Sequence, residues 1–333
     1  MSSAATSQRC VTARVPAKVN LELMVGPRRA DGFHHLATVF QAVGLHDDIS
    51  VEPAEDWGVS VEGPYADQVP ADDTNLALRA ARLLAREAGI DVPVHITIDK
   101  DIPVAAGLAG GSADAAGALL ACDALWGVWS SKAALEDLAA ELGSDVPFAL
   151  IGGTAMGSGR GDQLAPVLGR GRYHWVLALS DVGLSTPKVY AECDRLRSSL
   201  RVPEPAPSAS MMTALRSGEA ASLGRALSND LQPAALSLQP RLAEVLREGL
   251  EAGALGGIVS GSGPTIAFLV TDTERGLDLA VALTALGAAP SVKRAVGPVR
   301  GAHIITAAAG PRGSGGSTGR KPGHAGPEGL RSS

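Results

Sequence analysis

The chain has 333 residues, 45% of them hydrophobic, enough to bury a large core and to favour two domains over one. Aromatic residues make up only 3%, against 40 glycines and 21 prolines, so the core must come from Ala, Leu and Val packed between many turns, as in an α/β or α+β enzyme. Lys and Arg total 29 against 35 Asp and Glu, a formal charge of -6 with no concentrated basic stretch, which argues against a nucleic-acid partner.

In chain order, the start Met1 to Cys10 lacks the apolar core of a signal peptide, and no run of about 18 apolar residues follows, so no membrane partner and residence in the cytoplasm are expected. Cys10, Cys122 and Cys193 are odd in number and far apart, as reduced thiols are, and Cys122 sits in an apolar run as a small core residue. Residues 11–25 alternate around Lys18 and Asn20 and predict strands, as does Val39 to Val61. Asp73-Thr74-Asn75 offers helix caps before the amphipathic run 76–84, which Gly89 ends, and Val94 to Ile98 reads as a strand.

After a glycine-rich segment, Ala113 to Trp126 and Lys132 to Leu142 predict helices, the second closed by Gly143. Trp175 to Leu179 opens a second unit with helices over about 187–199, 209–227 and 240–252 and strands near 257–259 and 265–270. The expected division is a first domain over 1–160 and a second over 161–309. From Gly310 to 333 the composition lacks apolar surface and predicts disorder.

Strand, glycine-rich turn and helix over 94–126 is the arrangement that aims unpaired backbone N–H groups and the positive end of a helix at an anion. The turn is Pro103-Val104-Ala105-Ala106-Gly107-Leu108-Ala109-Gly110-Gly111-Ser112-Ala113, with the Ser112 hydroxyl at the helix entry, within reach of a phosphate oxygen or a magnesium ion. Taken alone it is a tight turn for any anion, being neither of the two common phosphate-loop signatures, and Ser112 is equally a helix cap.

Together with Pro16-Ala17-Lys18-Val19-Asn20-Leu21 and Gly257 to Thr265, that turn resembles the three ordered motifs of the GHMP small-molecule kinases. The segments Asp31 to Leu36, Leu142 to Phe148 and Asn229-Asp230-Leu231 are similar to the branch acting on a cytidine diphosphate-linked methylerythritol in the non-mevalonate isoprenoid pathway. The resemblance spans roughly residues 14–306. It implies a two-domain α+β fold, an α/β nucleotide-binding domain followed by a ferredoxin-like domain, with both substrates in the cleft between. It also implies ATP and Mg2+ as cofactors, the metal held chiefly by ATP oxygens and Ser112 rather than by a protein metal cluster. Asp162 and Asp230 are further carboxylates without an assigned role, and a monomer or weak homodimer is expected.

Under this resemblance Asp145 is the base for an alcohol and Lys18 orients it and stabilises charge on the moving phosphate. Composition alone makes Asp145 a turn cap and Lys18 a surface residue. Asn20 bonds the acceptor hydroxyl or a strand-end backbone group. Phe33 and Tyr190 sandwich the base and His34, rather than His35, reads its edge; Thr186 bonds the diphosphate or the polyol. Gly261 and Ser262, with Gly263, form a second backbone nest, or only a hairpin turn. Asn75 and Lys100 approach adenine, though Asn75 is also an ordinary helix cap. Ala105, Ala106 and Ala109 stand where glycines are usual, which predicts a stiffer loop presenting its N–H groups from negative φ. Another GHMP kinase, of homoserine or mevalonate type, and a non-catalytic sensor of the same fold are the competing readings.

Overall fold

In chain order the elements are β1 (Val11–Arg28), β2 (His34–Pro53), β3 (Gly58–Glu62), α1 (Leu76–Ala88), β4 (Val94–Asp99), α2 (Gly110–Trp126), α3 (Lys132–Leu142), α4 (Val146–Ile151), β5 (Thr154–Ser158), β6 (Gln163–Pro166) and β7 (Tyr173–Leu179). They continue with α5 (Thr186–Leu196), α6 (Ala209–Ser217), α7 (Ala220–Ala226), β8 (Ser228–Asn229), α8 (Gln232–Leu238), α9 (Arg241–Glu251), β9 (Gly256–Val259), β10 (Ile266–Val270), α10 (Thr273–Ala285), β11 (Ser291–Gly297) and β12 (His303–Ala307). These come from a computed structural model that describes residues 10–307. The expectations about the first nine residues and about disorder from Gly310 lie outside the described residues.

Two sheets carry the molecule. The first runs β12-β1-β2-β4-β3, with β5 paired to β2, β6 to β5 and β8 to β1; the second runs β11-β7-β10-β9. The long antiparallel pair β1·β2 is its spine, with register shifts at Pro16/Ala17 and Asn20/Glu22. A proline inside a strand is tolerated at such an irregularity because its missing N–H breaks no regular ladder there. Alternation places Ala17, Val19 and Leu21 in the core beneath α2 and Lys18, Asn20 and Glu22 on the opposite face.

Helix α2 is the central strut, with Ala115, Ala118, Leu119 and Cys122 all fully buried. It approaches the sheet closely at Gly117, where a Cβ would lie 2.8 Å from the Ile49 side chain and 2.9 Å from Val15 Cγ2. Gly89 and Gly127 end α1 and α2 in the left-handed conformation, and the Asn75 and Ser131 side chains cap α1 and α3.

The second sheet has two dry faces. Tyr173, Trp175, Leu177 and Leu269 join the core that holds α2, whereas Val176, Ala178, Phe268 and Val270 pack with residues of α5, α8, α9 and α10. Across the junction the Trp175 indole donates to Gln41 Oε1 on β2 at 3.0 Å. The two sheets therefore share one core.

Several expectations shift at this level. The division near residue 160 falls inside the β5·β6 hairpin, and β12 returns to pair with β1, so the first sheet is completed by the end of the chain. The helix expected over 209–227 breaks at Gly218, φ 76°, into α6 and α7. No helix among the described residues is long and apolar enough to cross a membrane.

Candidate active site

A cavity of about 880 Å3 opens between β1, β2, the glycine-rich turn, α5 and the β9–β10 turn. Its floor is the turn before α2. Ala105, Ala106, Gly107, Ala109, Gly110, Gly111 and Ser112 line it, while Pro103, Leu108 and Ala113 are buried behind and Val104 stands aside. The turn is held from two sides: Lys18 N–H donates to Leu108 O at 3.2 Å, Ser260 Oγ to Gly107 O at 3.0 Å, and Thr265 N–H to Ala106 O at 3.3 Å.

The expectation of negative φ holds for neither Ala105 nor Ala109, which adopt φ 51° and 60°; Ala106 is not among the positive-φ residues. Left-handed backbone costs an alanine about 1–2 kcal/mol, offset here by the bonds that pin the turn. Ala109 is the residue that enters α2, without a side-chain cap. Ser112 therefore caps nothing, and its hydroxyl lines the cavity at the first turn.

Lys18 Nζ lies at the centre. It donates to Asn20 Oδ1 at 2.6 Å and stands 3.5 Å from Asp145 Oδ2, with the lysine side chain 7% exposed and the aspartate 32%. Asn20 lines the cavity, and its side chain bonds other side chains rather than a strand-end backbone group. Its Nδ2 donates to Thr38 Oγ1, whose own hydrogen goes to Glu22 O, so the amide can turn only its oxygen towards Lys18. Asp145 precedes α4 but its carboxylate caps no N–H, which leaves it free for the cavity.

The β9–β10 turn closes over this pair. Gly261 has φ 58°, and a Cβ there would lie 3.2 Å from Lys18 Nζ, 3.3 Å from Asn20 Oδ1 and 3.5 Å from Gly107 O, so a side chain would strain the backbone and press on the Lys18–Asn20 pair. Asn229 Nδ2 holds the turn through Val259 O and Gly261 O, both at 2.7 Å. Thr186 Oγ1 and Ser262 Oγ are 2.8 Å apart at the start of α5.

At the far end stand Phe33, His34 and Tyr190. Rather than Phe33 and Tyr190 facing as a pair, His34 stacks on Tyr190 with centroids 5.2 Å apart, and the exposed Phe33 ring lies under the Arg160 guanidinium at 5.2 Å. His34 Nε2 is 2.8 Å from Asp194 Oδ1; a carboxylate only accepts, so this nitrogen carries the hydrogen and Nδ1 is the one left to accept. His35 is exposed, 3.5 Å from Glu204, and does not line the cavity. Burial first, then the Asp145 charge, push the Tyr190 hydroxyl well above its ordinary value, so it stays protonated.

Neither residue expected near adenine lines the cavity. Asn75 is 2% exposed and spends its side chain on Ala77 N, Leu78 N and Pro70 O; its neighbour Leu76 is what reaches the cavity. Lys100 is 1% exposed, with Nζ on Asp47 Oδ2 at 2.6 Å and Asp114 Oδ2 at 2.8 Å, behind the turn instead of in front of it. Asp230 is taken by Arg197 and Val25 N, and Asp162 by Arg160 N. Sequence reasoning missed Thr38, Asp194, Arg28 and Arg160, all lining the cavity; their only signal is proximity across long separations, such as the 160 residues between His34 and Asp194.

A hydroxyl-accepting carboxylate, a buried ammonium and a turn of backbone N–H groups at a helix start, set between two sheets, make a site for moving a phosphoryl group. Models for the GHMP kinases N terminal domain and the GHMP kinases C terminal match residues 75–153 and 211–289, and the chain belongs to this family.

Proteins called 4-diphosphocytidyl-2-C-methyl-D-erythritol kinase from Streptomyces avermitilis and Mycolicibacterium smegmatis are 55% and 54% identical to it, each over 89% of this chain and over 99% and 93% of their own lengths. A crystal structure of 4-(cytidine 5'-diphospho)-2C-methyl-D-erythritol kinase superposes with TM-score 0.70 at 35% identity, covering 85% of this chain and 98% of that one. Homoserine kinase from Cytophaga hutchinsonii, at 20% identity and TM-score 0.69 over 89% of this chain and 97% of its own, shares the fold.

Proposed function

We propose that this kinase transfers the terminal phosphoryl group of ATP to the 2-hydroxyl of 4-diphosphocytidyl-2-C-methyl-D-erythritol, a step of the non-mevalonate route to isoprenoid precursors. One observation carries the reading: the Lys18–Asp145 pair, 3.5 Å apart, neighbours the phosphate turn through Gly261 on one side and Tyr190 on the other. An acceptor with a polyol at one end and a nucleoside at the other fits that order.

Asp145 takes the proton of the attacking hydroxyl as its oxygen closes on phosphorus. Lys18, held in place by Asn20 and Thr38, orients that carboxylate and offsets charge on the moving phosphoryl group. The N–H groups of 105–112 hold the nucleotide's remaining phosphates. Thr186, Ser262 and the Gly261 backbone face the acceptor's polyol and diphosphate. At the far end His34 Nδ1 accepts from the cytosine amine, while stacking on the aromatic rings adds about 1–3 kcal/mol per base.

Among the described residues no three His, Cys, Asp or Glu side chains converge as a metal site. Ser112, which lines the cavity in the first turn of α2, suits a Mg2+ that keeps most of its ligands as phosphate oxygens and water. When bound it would neutralise phosphate charge beside Ser112. A charged, water-soluble acceptor fits an enzyme of the cytoplasm.

The test is ADP release with the cytidyl substrate, homoserine and mevalonate in parallel. Turnover is expected with the first alone; turnover with either of the others and none with the first would overturn the assignment.

A further inference from the structure

Two guanidinium groups at the far end of the cavity have no part in the chemistry above, and both are held by the turn that joins β1 to β2. That turn is closed by Arg29 N–H on Phe33 O at 2.7 Å, and Phe33 N–H donates to Asp31 Oδ1 at 3.0 Å. Arg28 ends β1, and its Nε donates to Gly32 O at 3.4 Å. Arg160 comes from the loop between β5 and β6. Its guanidinium covers the Phe33 ring at 5.2 Å, while its backbone N–H is fixed by Asp162 Oδ1 at 3.0 Å. Leu36 N–H joins the two loops by donating to Gly159 O at 2.8 Å. Both arginines line the cavity together with His34.

Neither guanidinium is hydrogen-bonded to a carboxylate. Neighbouring arginines are: Arg29 pairs with Asp31 and Arg197 with Asp230, each at 2.9 Å. Among the described residues Arg28 makes no ion pair, and Arg160 Nε stands 3.9 Å from Asp162 Oδ2, beyond hydrogen-bond reach. The cations that line the cavity, among the described residues, are Lys18, Arg28 and Arg160, and Lys18 is already set against Asn20 and Asp145. An acceptor with its base at His34 and its hydroxyl at Asp145 carries two phosphates between those ends. A planar guanidinium meets phosphate oxygens through paired, charge-assisted hydrogen bonds, which a lysine or a neutral donor cannot reproduce.

We propose that Arg28 and Arg160 are specificity-determining residues that take the acceptor's diphosphate, so that the cavity selects a nucleoside diphosphate-linked alcohol over an acceptor without phosphate. This rests on the reading of the far end as a nucleoside site. Thr186, Ser262 and the Gly261 backbone supply neutral donors to the acceptor, and the two arginines supply the countercharge. Because the turn before His34 holds both guanidiniums, the residues that read the base and those that take the phosphates form one unit.

Calorimetry of cytidine diphosphate and of cytidine binding to the full chain, with the phosphate turn filled by a non-hydrolysable ATP analogue, tests it. The wild type is expected to bind the diphosphate at least about tenfold more tightly than the nucleoside, and the double variant Arg28→Gln, Arg160→Gln to bind the two within about threefold of each other, with each single variant between. The ratio is the readout because a change confined to packing on Phe33 weakens both ligands alike and leaves it unmoved. Equal binding of the two ligands by the wild type, or an undiminished ratio in the double variant, would overturn the proposal. Binding of neither ligand by the wild type would instead bring down the nucleoside reading of the far end, and this proposal with it.

Discussion

Lys18, proposed to orient the base, shows how much of a site residue is made by its neighbours. Its ammonium is buried among Asn20, Asp145 and the Phe40 ring, 5.7 Å from the centroid, and the orientation of Asn20 is set in turn by Thr38. Asp145→Asn keeps that shape and removes the proposed base, so kcat is expected to drop at least about a hundredfold while ATP binding persists; steady-state kinetics with calorimetry separate the two. Lys18, Asp145 and the glycine turn were legible in the sequence because each sits in a short ordered motif. Lys100 was not: a lysine after a strand reads as available to ligand until the fold shows both carboxylates on it. Nor could the left-handed φ of Ala105 and Ala109 be read, since alanine by itself argues for the opposite.

At the scale of elements, α2 carries the site, and its seat on the sheet depends on one missing side chain. Gly117→Ala would set a methyl 2.8 Å from Ile49 and 2.9 Å from Val15, inside a core with nowhere to yield. A destabilisation of about 1–3 kcal/mol is expected, read as a lower denaturant midpoint, with KM for ATP rising as the helix start shifts. The helices of the first half were legible because Asn75, Ser131 and Gly89 are local signals. The division of 209–227 rests on Gly218, which ends α6 in the left-handed conformation at φ 76°, a signal of the same kind as Gly89 that the apolar pattern on either side conceals. β8 is too short for any periodicity, yet it brings Asn229 beneath the β9–β10 turn.

At the scale of the whole molecule, the last described strand completes the first sheet. A chain ending after Val299 leaves Val11 to Arg14 on an open edge, and its melting temperature is expected to be at least about 5 °C below that of a chain ending after Ala307, with more aggregation on heating. No composition boundary announced that return, because strand pairing across nearly the full length of the chain leaves no mark on local pattern. Within the shared core, Trp175 ties the two sheets through its bond to Gln41. Trp57 and Trp126 lie together elsewhere, 6.3 Å apart, and Trp129 is exposed. Trp175 is thus a natural optical probe: its emission, isolated by replacing the other three with phenylalanine, would shift to the red whenever the sheets part and water reaches the ring. Substrate-driven motion between the halves of the enzyme can be followed without attaching a dye.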